Sequence, residues 1–267
     1  MRKLAVLIMP LVFLVSSAVR AQDPAGVPAS TSDAEIDDSV DDQDKKRVLA
    51  ILGDGWHRVA PLDRYIVGKL RQNDWEAVVI MDYDVPFDEF EEYDLIVLSR
   101  EGHEFIQYYR ERDTKPQPEG RSYWLTPEEA QKFEDYVNAG GRLFMFHDGF
   151  GNYPCDYAIA RLARSCFISH PAIVEINVSP TGKMPELTEG VTPFVVSDEE
   201  YVVEMDESET SVFLESHSPE HGRSAQGWAH TYGEGKVAVL IPGHRMDTIS
   251  HPSINRLIQN ALDWLTE

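Results

Sequence analysis

The chain has 267 residues, with 46 acidic side chains against 24 basic ones, and its formal net charge is −22 at pH 7. So large a negative charge argues against nucleic acid and anionic membrane surfaces as partners, because both require a cationic footprint on the protein. Cys155 and Cys166 are the only cysteines, and the sequence leaves open whether they form a disulfide or stay as buried free thiols.

Residues 1–21 have the pattern of a secretory signal peptide. Two basic residues follow the initiating methionine, an apolar run covers 4–15, and a Val19-x-Ala21 cleavage motif precedes Gln22. The apolar run is too short to cross a bilayer core of about 30 Å, which disfavours a membrane anchor. We therefore expect a periplasmic or secreted protein, with no membrane insertion after the signal peptide is cleaved.

An acidic segment separates the signal peptide from the folded part. Residues 22–44 hold eight acids, no base and two prolines. A segment with this composition cannot bury enough apolar surface to fold, so residues 22–46 are predicted to be a disordered linker. The folded domain then covers 47–267, a normal size for a single α/β domain.

From Arg47 onward the chain alternates between short apolar runs and segments with helical spacing. Apolar runs of this length are typical of strands that are covered on both faces. A helix start is visible at Thr126, which is followed by Pro127 and then by Glu129 in a capping box. The strands predicted in this half cover 47–53, 75–82, 93–100 and 142–147, and the helices cover 60–73, 126–139 and 155–164.

Strands predominate after Phe167, and one last helix covers about 253–265. Alternating strands and helices indicate an α/β fold with a mostly parallel, doubly wound sheet of the flavodoxin type and helices on both faces. The late strands predict additional antiparallel edge strands on that sheet. They cover 172–178, 211–216, 226–233 and 236–243.

Four of the nine histidines follow predicted strands, and the carboxyl ends of such strands line one edge of a doubly wound sheet. They are His57, His103, His147 and His244, of which His103 stands before a long loop and is given no role. Imidazoles at a shared edge could exchange protons near neutral pH or bind zinc. No HxH or HExxH spacing is present, so no metal cofactor is predicted. Zinc held by the other three histidines stays as an alternative.

Carboxylates and aromatic rings accompany these imidazoles. Asp54 and Asp148 each share a strand-end loop with a histidine, which favours a role for both. The acidic segment "SDEEY", 197–201, follows an apolar run, although a single charge cluster is usually a solvated turn. Five aromatic residues could supply stacking faces for a sugar ring, although aromatic residues more often lie in the core: Trp56, Trp124, Tyr153, Tyr201 and Trp228. These residues predict a polar pocket with aromatic walls.

Four segments, in this order and spacing, resemble the ThuA family of trehalose-utilisation proteins over roughly Arg47 to Leu265. They are "YVNAGGRLFMFHDGFGNYP", "SHP" at 169–171, "SDEEY", and "GWAHTYGEGKVAVLIPGHRMDTISHPSINRLIQNALDWL". The resemblance implies a fold similar to the class I glutamine amidotransferases. In those enzymes a strand-to-helix turn carries the nucleophilic cysteine, and a histidine follows a late strand.

His147 and His244 stand at those two places in this sequence. Cys155 comes eight residues after His147, so glutamine hydrolysis through a thioester is not expected. By the same resemblance, His57 matches the first-loop histidine of the family. Arg245 stands where the family often has an acid, which implies a ligand different from that of typical members.

The resemblance also matches Asp198 and Glu199 to an acidic pair that precedes a tyrosine in the family. Together, the residues and the resemblance predict one set of residues for acid–base catalysis and another for substrate binding. The predicted catalytic residues are His147, His244, Asp198 and Glu199, and the predicted substrate-binding residues are His57, Asp54, Trp56, Asp148, Tyr201 and Arg245.

The leading hypothesis is an exported protein of carbohydrate utilisation that hydrolyses or isomerises a sugar or keto-sugar by acid–base chemistry. Two alternatives stay open, a non-catalytic sugar-binding module and a zinc-dependent hydrolase. The expected partner is a small carbohydrate, a homo-oligomer is compatible with the sequence, and a functional glutamine amidotransferase is not expected.

Overall fold

The computed structural model describes residues 45–104, 122–219 and 221–267. The predicted signal peptide and nearly all of the predicted linker lie outside the described residues. The strands are β1 (Arg47–Leu52), β2 (Glu76–Ile80), β3 (Leu95–Ser99), β4 (Arg142–Phe146), β5 (Ser165–Ser169), β6 (Val174–Pro180), β7 (Phe194–Asp198), β8 (Val202–Met205), β9 (Ser211–Ser218), β10 (Gly222–Tyr232) and β11 (Gly235–Leu240).

The helices include the four that the sequence predicts and one short helix, Met246–Ile249, that it does not predict. They are α1 (Val59–Leu62), α2 (Gly68–Gln72), α3 (Pro127–Asn138), α4 (Ala158–Ala163), α5 (Met246–Ile249) and α6 (Pro252–Thr266). A π-helical turn, Asp63–Val67, joins α1 to α2, so this predicted helix is continuous but not regular. None of the helices in the described residues is both long and apolar enough to span a bilayer.

Nine of the strands form one mixed sheet in the order β2-β1-β3-β4-β11-β10-β9-β6-β7. The first five strands in that order pair in parallel, and the remaining four extend the sheet through antiparallel pairings. The predicted parallel core with added antiparallel strands is therefore confirmed in outline. The antiparallel part is nearly half of the sheet, larger than the edge that the sequence indicated.

Both faces of the parallel part are covered by helices, as expected for strands whose residues are buried throughout. One face packs against α1, α2 and α6 through residues such as Leu62, Leu70 and Leu257. The opposite face packs against α3 and α4 through residues such as Phe133 and Ile159. The carboxyl ends of the five parallel strands consequently share one edge, where the site is found.

The predicted start of α3 is confirmed in atomic detail. The Thr126 hydroxyl accepts a hydrogen bond from the Glu129 backbone N–H (3.1 Å), and the Glu129 carboxylate accepts one from the Thr126 N–H (2.8 Å). This reciprocal pair satisfies two of the donors that every helix leaves unpaired at its first turn.

Arg100 directly follows β3 and binds the carboxyl ends of β1 and β2. Its guanidinium is 1% exposed and donates to the carbonyl oxygens of Gly53 (2.8 Å), Leu52 (3.0 Å), Ile80 (3.2 Å) and Asp82. Because these carbonyl groups belong to the ends of β1 and β2, the side chain fixes the loop that carries the first site histidine.

Cys155 and Cys166 form a disulfide, with their Cα atoms 5.3 Å apart. It joins the loop before α4 to β5, which pairs with β8 in a separate two-stranded sheet that the sequence did not predict. With both cysteines paired, the chain has no thiol left to act as a nucleophile.

Candidate functional site

Three imidazoles meet at the carboxyl edge of the parallel strands. His57 follows β1, His147 follows β4 and His244 follows β11. The Nε2 atom of His57 lies 2.8 Å from Nδ1 of His244 and 3.2 Å from Nε2 of His147. The structure thus brings together three histidines that are up to 187 positions apart in the sequence.

The turn after β4 directs His147 into this cluster. His147 has a φ of +50°, a left-handed conformation that histidine adopts more readily than most non-glycine residues, and it begins a short 3₁₀ turn, His147–Phe150. Its Nδ1 atom lies 2.8 Å from the carbonyl oxygen of Ile241. Since a carbonyl can only accept, Nδ1 carries a hydrogen, and Nε2 faces the other imidazoles.

Two carboxylates bind Nδ1 of His57, the ring nitrogen that does not face the other imidazoles. Its Nδ1 atom lies 2.7 Å from Asp148 Oδ2 and 2.9 Å from Asp54 Oδ1, so Nδ1 is the donor. Burial on its own would lower the pKa of His57, but the charge and hydrogen bond of Asp148, with those of Asp54, raise it to about 11. Burial likewise favours a neutral Asp148, yet the two neighbouring imidazoles hold the pKa of its carboxyl well below the usual range.

This hydrogen bonding leaves a cation-binding point between the rings. With Nδ1 of His57 and of His147 donating outward, the Nε2 atoms of the two rings face each other. Lone pairs at 3.2 Å repel unless a positive charge lies between them. That charge is either a shared proton or a metal ion, and imidazole nitrogen suits zinc and similar ions.

Glu199 approaches the same point from another direction. Its carboxylate oxygens lie 3.5 Å from Nε2 of His147 and 3.4 Å from Nδ1 of His244. Four ligand atoms at about 2.1 Å from a tetrahedral zinc would stand about 3.4 Å apart. One atom from each of His57, His147, Glu199 and His244 lies within 4.8 Å of the others. The cluster could therefore hold a metal ion.

The hydrogen bonds of Asp198 are to backbone N–H groups, which does not suit its predicted role as a catalytic acid or base. The side chain is fully buried, and it accepts hydrogen bonds from the backbone N–H groups of the turn after β11 and of its own neighbour. The donors are Glu199 (2.9 Å), Gly243 (3.4 Å), His244 (3.2 Å) and Arg245 (3.4 Å). The geometry assigns Asp198 to positioning this turn, and with it the imidazole of His244.

Tyr201 also lies behind the imidazoles. Its hydroxyl donates to Asp148 Oδ1 and lies 3.5 Å from Nε2 of His147. Burial and the negative charge of Asp148 raise the pKa of Tyr201 well above its usual value, so the phenol stays protonated. Tyr201 thus orients Asp148 and does not reach a ligand from solvent.

A pocket of about 310 Å³ opens onto the three imidazoles, which is within the range of small-molecule sites. Of the residues predicted to bind substrate, His57, Trp56 and Arg245 line this pocket. Trp56 stands at its mouth with 71% of its surface exposed. The other three, Asp54, Asp148 and Tyr201, do not line it, and each lies behind His57 or His147.

Sequence reasoning missed two residues of the site. Arg58 lines the pocket, and its place next to His57 was the available signal. His170, in the quoted "SHP" segment, stacks on Tyr201 with ring centroids 5.6 Å apart, and its Nδ1 lies 3.6 Å from Glu199. His103 stays outside the cluster, stacked on Tyr123.

The sequence model of the ThuA family, described as trehalose utilisation, matches residues 47–265. The chain therefore belongs to the ThuA family, and its fold is consistent with the class I glutamine amidotransferase-like architecture. This membership supports a role related to carbohydrates. No protein with a curated description matches the chain.

Solved structures with the same fold have low sequence identity to this chain. A ThuA-like protein from Bacteroides uniformis is 17% identical, with a TM-score of 0.58 over 90% of this chain and 95% of its own. A second, from Parabacteroides merdae, is 14% identical, with a TM-score of 0.61 over 83% and 90%. A β-galactosidase from Rahnella sp. R3 is 11% identical, with a TM-score of 0.54 over 82% of this chain but only 31% of its own.

Proposed function

We propose that the protein is a zinc-dependent enzyme of carbohydrate utilisation, which converts a sugar by hydrolysis or isomerisation at the cluster of His57, His147, His244 and Glu199. One observation carries this proposal: three imidazole nitrogens and a carboxylate converge at nearly the spacing of a tetrahedral zinc site. Zinc bound there would polarise a sugar oxygen or lower the pKa of a water molecule.

The surroundings of the cluster support the same function. Imidazoles that bind metals usually donate their second N–H to a carboxylate or a backbone carbonyl, as His57 and His147 do here. The pocket reaches the three imidazoles, whereas Glu199 is not among its lining residues. A sugar in the pocket would thus approach from the side away from Glu199, and zinc can accept a fifth ligand during a reaction.

The chain's own residues have separate tasks in this proposal. The imidazoles would hold the ion, while Asp148 and Asp54 orient the ring of His57 and Tyr201 orients Asp148. Trp56 offers an exposed ring face against which the apolar side of a sugar can pack.

Elemental analysis combined with activity assays tests the proposal. Protein purified without added metal is expected to contain close to one zinc per chain, and to convert at least one member of a panel of disaccharides and keto-sugars. Removal of zinc with a chelator should abolish turnover, and added zinc should restore it. Metal-free protein that turns over sugars would refute the zinc assignment.

A second candidate function is metal-free acid–base catalysis by the same residues. The raised pKa of His57, about 11, favours it, because a shared proton can occupy the place between the rings instead of a metal. In that case activity would survive the chelator and be lost in the His147 and His244 variants. Calorimetric binding of a sugar without turnover would instead indicate a sugar-binding module.

Replacing Asp148 with asparagine is expected to weaken zinc binding about 10- to 100-fold, because outer carboxylates contribute this much to metal affinity. Asp148→Asn keeps the size of the side chain but removes the charge that holds His57. Competition with a chromophoric chelator measures the affinity. Asp88→Asn, at an exposed carboxylate paired with Lys132, is the matched control and should bind zinc as the native protein does. Equal affinity in both variants would contradict the assigned role of Asp148.

We also propose that the protein is exported. The pattern of residues 1–21 and the disulfide between Cys155 and Cys166 support this, because disulfides persist in oxidising compartments. N-terminal sequencing of protein recovered from the periplasmic fraction or the medium should begin at Gln22. A cytosolic protein that retains residues 1–21 would rule out export.

A further inference from the structure

We propose that the pocket binds a sugar that carries an anionic group, a carboxylate or a phosphate, and that Arg58 and Arg245 recognise this group. The inference rests on the proposed function, because it names the substrate class of the same site. Two guanidinium groups in a pocket without a carboxylate in its wall are the juxtaposition that carries it.

The charge of the pocket wall is opposite to that of the protein. Acidic side chains outnumber basic ones by 46 to 24 over the whole chain. The described residues that line the pocket nevertheless include no aspartate or glutamate, while they include two arginines and three histidines. The carboxylates of the cluster lie behind the imidazoles. An anion entering the pocket therefore meets cationic groups and imidazoles, although the rest of the surface would repel it.

Both guanidinium groups are available to a ligand. Arg58 is exposed, and among the described residues no carboxylate forms an ion pair with it. Arg245 has one such contact, Nη2 to Oδ2 of Asp247 at 3.6 Å, between side chains that are 45% and 88% exposed. A pair of this length and exposure is weak and exchanges readily with solvent or a ligand.

The positions of the two arginines follow from the cluster itself. Arg58 follows His57 and Arg245 follows His244, and these two imidazoles are 2.8 Å apart. The contact between the rings thus brings two His-Arg pairs from opposite ends of the domain to one pocket. Arginine presents a planar fork of N–H donors that matches the oxygens of a carboxylate or a phosphate.

The remaining wall suits a sugar ring. Pro61, Leu62, Met246 and Ile249 supply apolar surface, and Trp56 supplies an exposed aromatic face at the mouth. Apolar and aromatic groups pack against the C–H face of a sugar, while its polar substituents need directed donors. A sugar with one anionic substituent would use both kinds of surface.

Titration calorimetry of the full-length, zinc-loaded protein tests this with D-glucose, D-glucuronate and D-glucose 6-phosphate. Glucuronate differs from glucose in one carboxylate, so the difference in affinity reports on that group. We expect at least one of the two anions to bind at least tenfold more tightly than glucose. Arg58→Gln and Arg245→Gln should each weaken that anion about tenfold, as expected for the loss of a charge-assisted hydrogen bond. Affinity for glucose should not change.

The exposed Arg64, which does not line the pocket, provides the matched control. Arg64→Gln should bind every probe as the native protein does. A preference for glucuronate assigns a sugar acid, and a preference for glucose 6-phosphate assigns a sugar phosphate. The inference is overturned if glucose binds as well as both anions, if no probe binds, or if Arg58→Gln and Arg245→Gln both keep native affinity for the anion.

Zinc content, measured on every variant, keeps this result separate from the proposed function. Arginine variants that retain native zinc but lose anion affinity support the inference. Native protein that contains zinc and shows no preference for an anion refutes the inference and leaves the zinc enzyme standing. Native protein without zinc refutes the proposed function, and the anion preference is then measured on the metal-free protein.

Discussion

His147→Asn is expected to abolish zinc binding and turnover while leaving the fold intact. The substitution removes the imidazole whose Nε2 atom lies 3.2 Å from Nε2 of His57 and 3.5 Å from Oε2 of Glu199. Because even an outer residue contributes 10- to 100-fold to metal affinity, the loss of a direct ligand should exceed about 100-fold. Zinc content by mass spectrometry and turnover of the sugar identified for the native protein measure the two effects.

Asparagine is chosen because of the backbone at this turn. His147 has a φ of +50°, and asparagine adopts this left-handed region more readily than most other residues. Alanine there would add a backbone cost of about 1 kcal/mol. A loss of zinc could then come from the missing imidazole or from the strained backbone. His217→Asn, at an exposed histidine in β9, is the control and should retain native zinc and turnover. A His147→Asn variant with native zinc content would remove His147 from the proposed ligands.

Gly149→Ala is expected to have the largest effect on stability. A Cβ atom at Gly149 would lie 2.1 Å from the carbonyl oxygen of Leu98 in β3, which is backbone and cannot turn aside. The turn that carries His147 would have to move away from the sheet. We expect the free energy of unfolding to fall by about 3 kcal/mol, as for severe overpacking, together with loss of zinc.

Chemical denaturation of the chelator-treated protein measures this change without a contribution from metal binding. Gly68→Ala is the matched control, since a Cβ at Gly68 meets nothing closer than a carbonyl oxygen at 3.5 Å. Alanine is favoured over glycine in a helix, so this variant should be as stable as the native protein or more stable by up to about 1 kcal/mol. Equal stabilities of the two variants would contradict the close approach at Gly149.

The parallel part of the fold was predictable because its strands are buried on both faces. β1, β3 and β4 appear in the sequence as continuous apolar runs, and Thr126 marks the start of α3. The antiparallel part gave a weaker signal. β5 and β8 are short, partly exposed strands that pair only with each other, so neither forms an apolar run.

The meeting of the imidazoles was predictable from topology, since parallel strands end at one edge. The direction of individual side chains was not predictable, because spacing in the sequence does not show which way a buried carboxylate turns. Asp198 binds backbone N–H groups, and Asp148 holds His57 from behind. Arg58 was missed because its place next to His57 was the one signal in the sequence, and only the three-dimensional structure shows that Arg58 lines the pocket.

The disulfide between Cys155 and Cys166 bears on how the proposed zinc would reach its ligands. Thiolates bind zinc strongly, and Cys155 and Cys166 stand only eight and nineteen positions after His147 in the sequence. In a reduced, unfolded chain they would compete with the imidazoles for the ion. Formation of the disulfide would remove these competitors. If the proposed zinc is bound, an oxidising compartment would favour its binding to the histidines as well as the cross-link, and recombinant protein for these measurements is best matured under oxidising conditions.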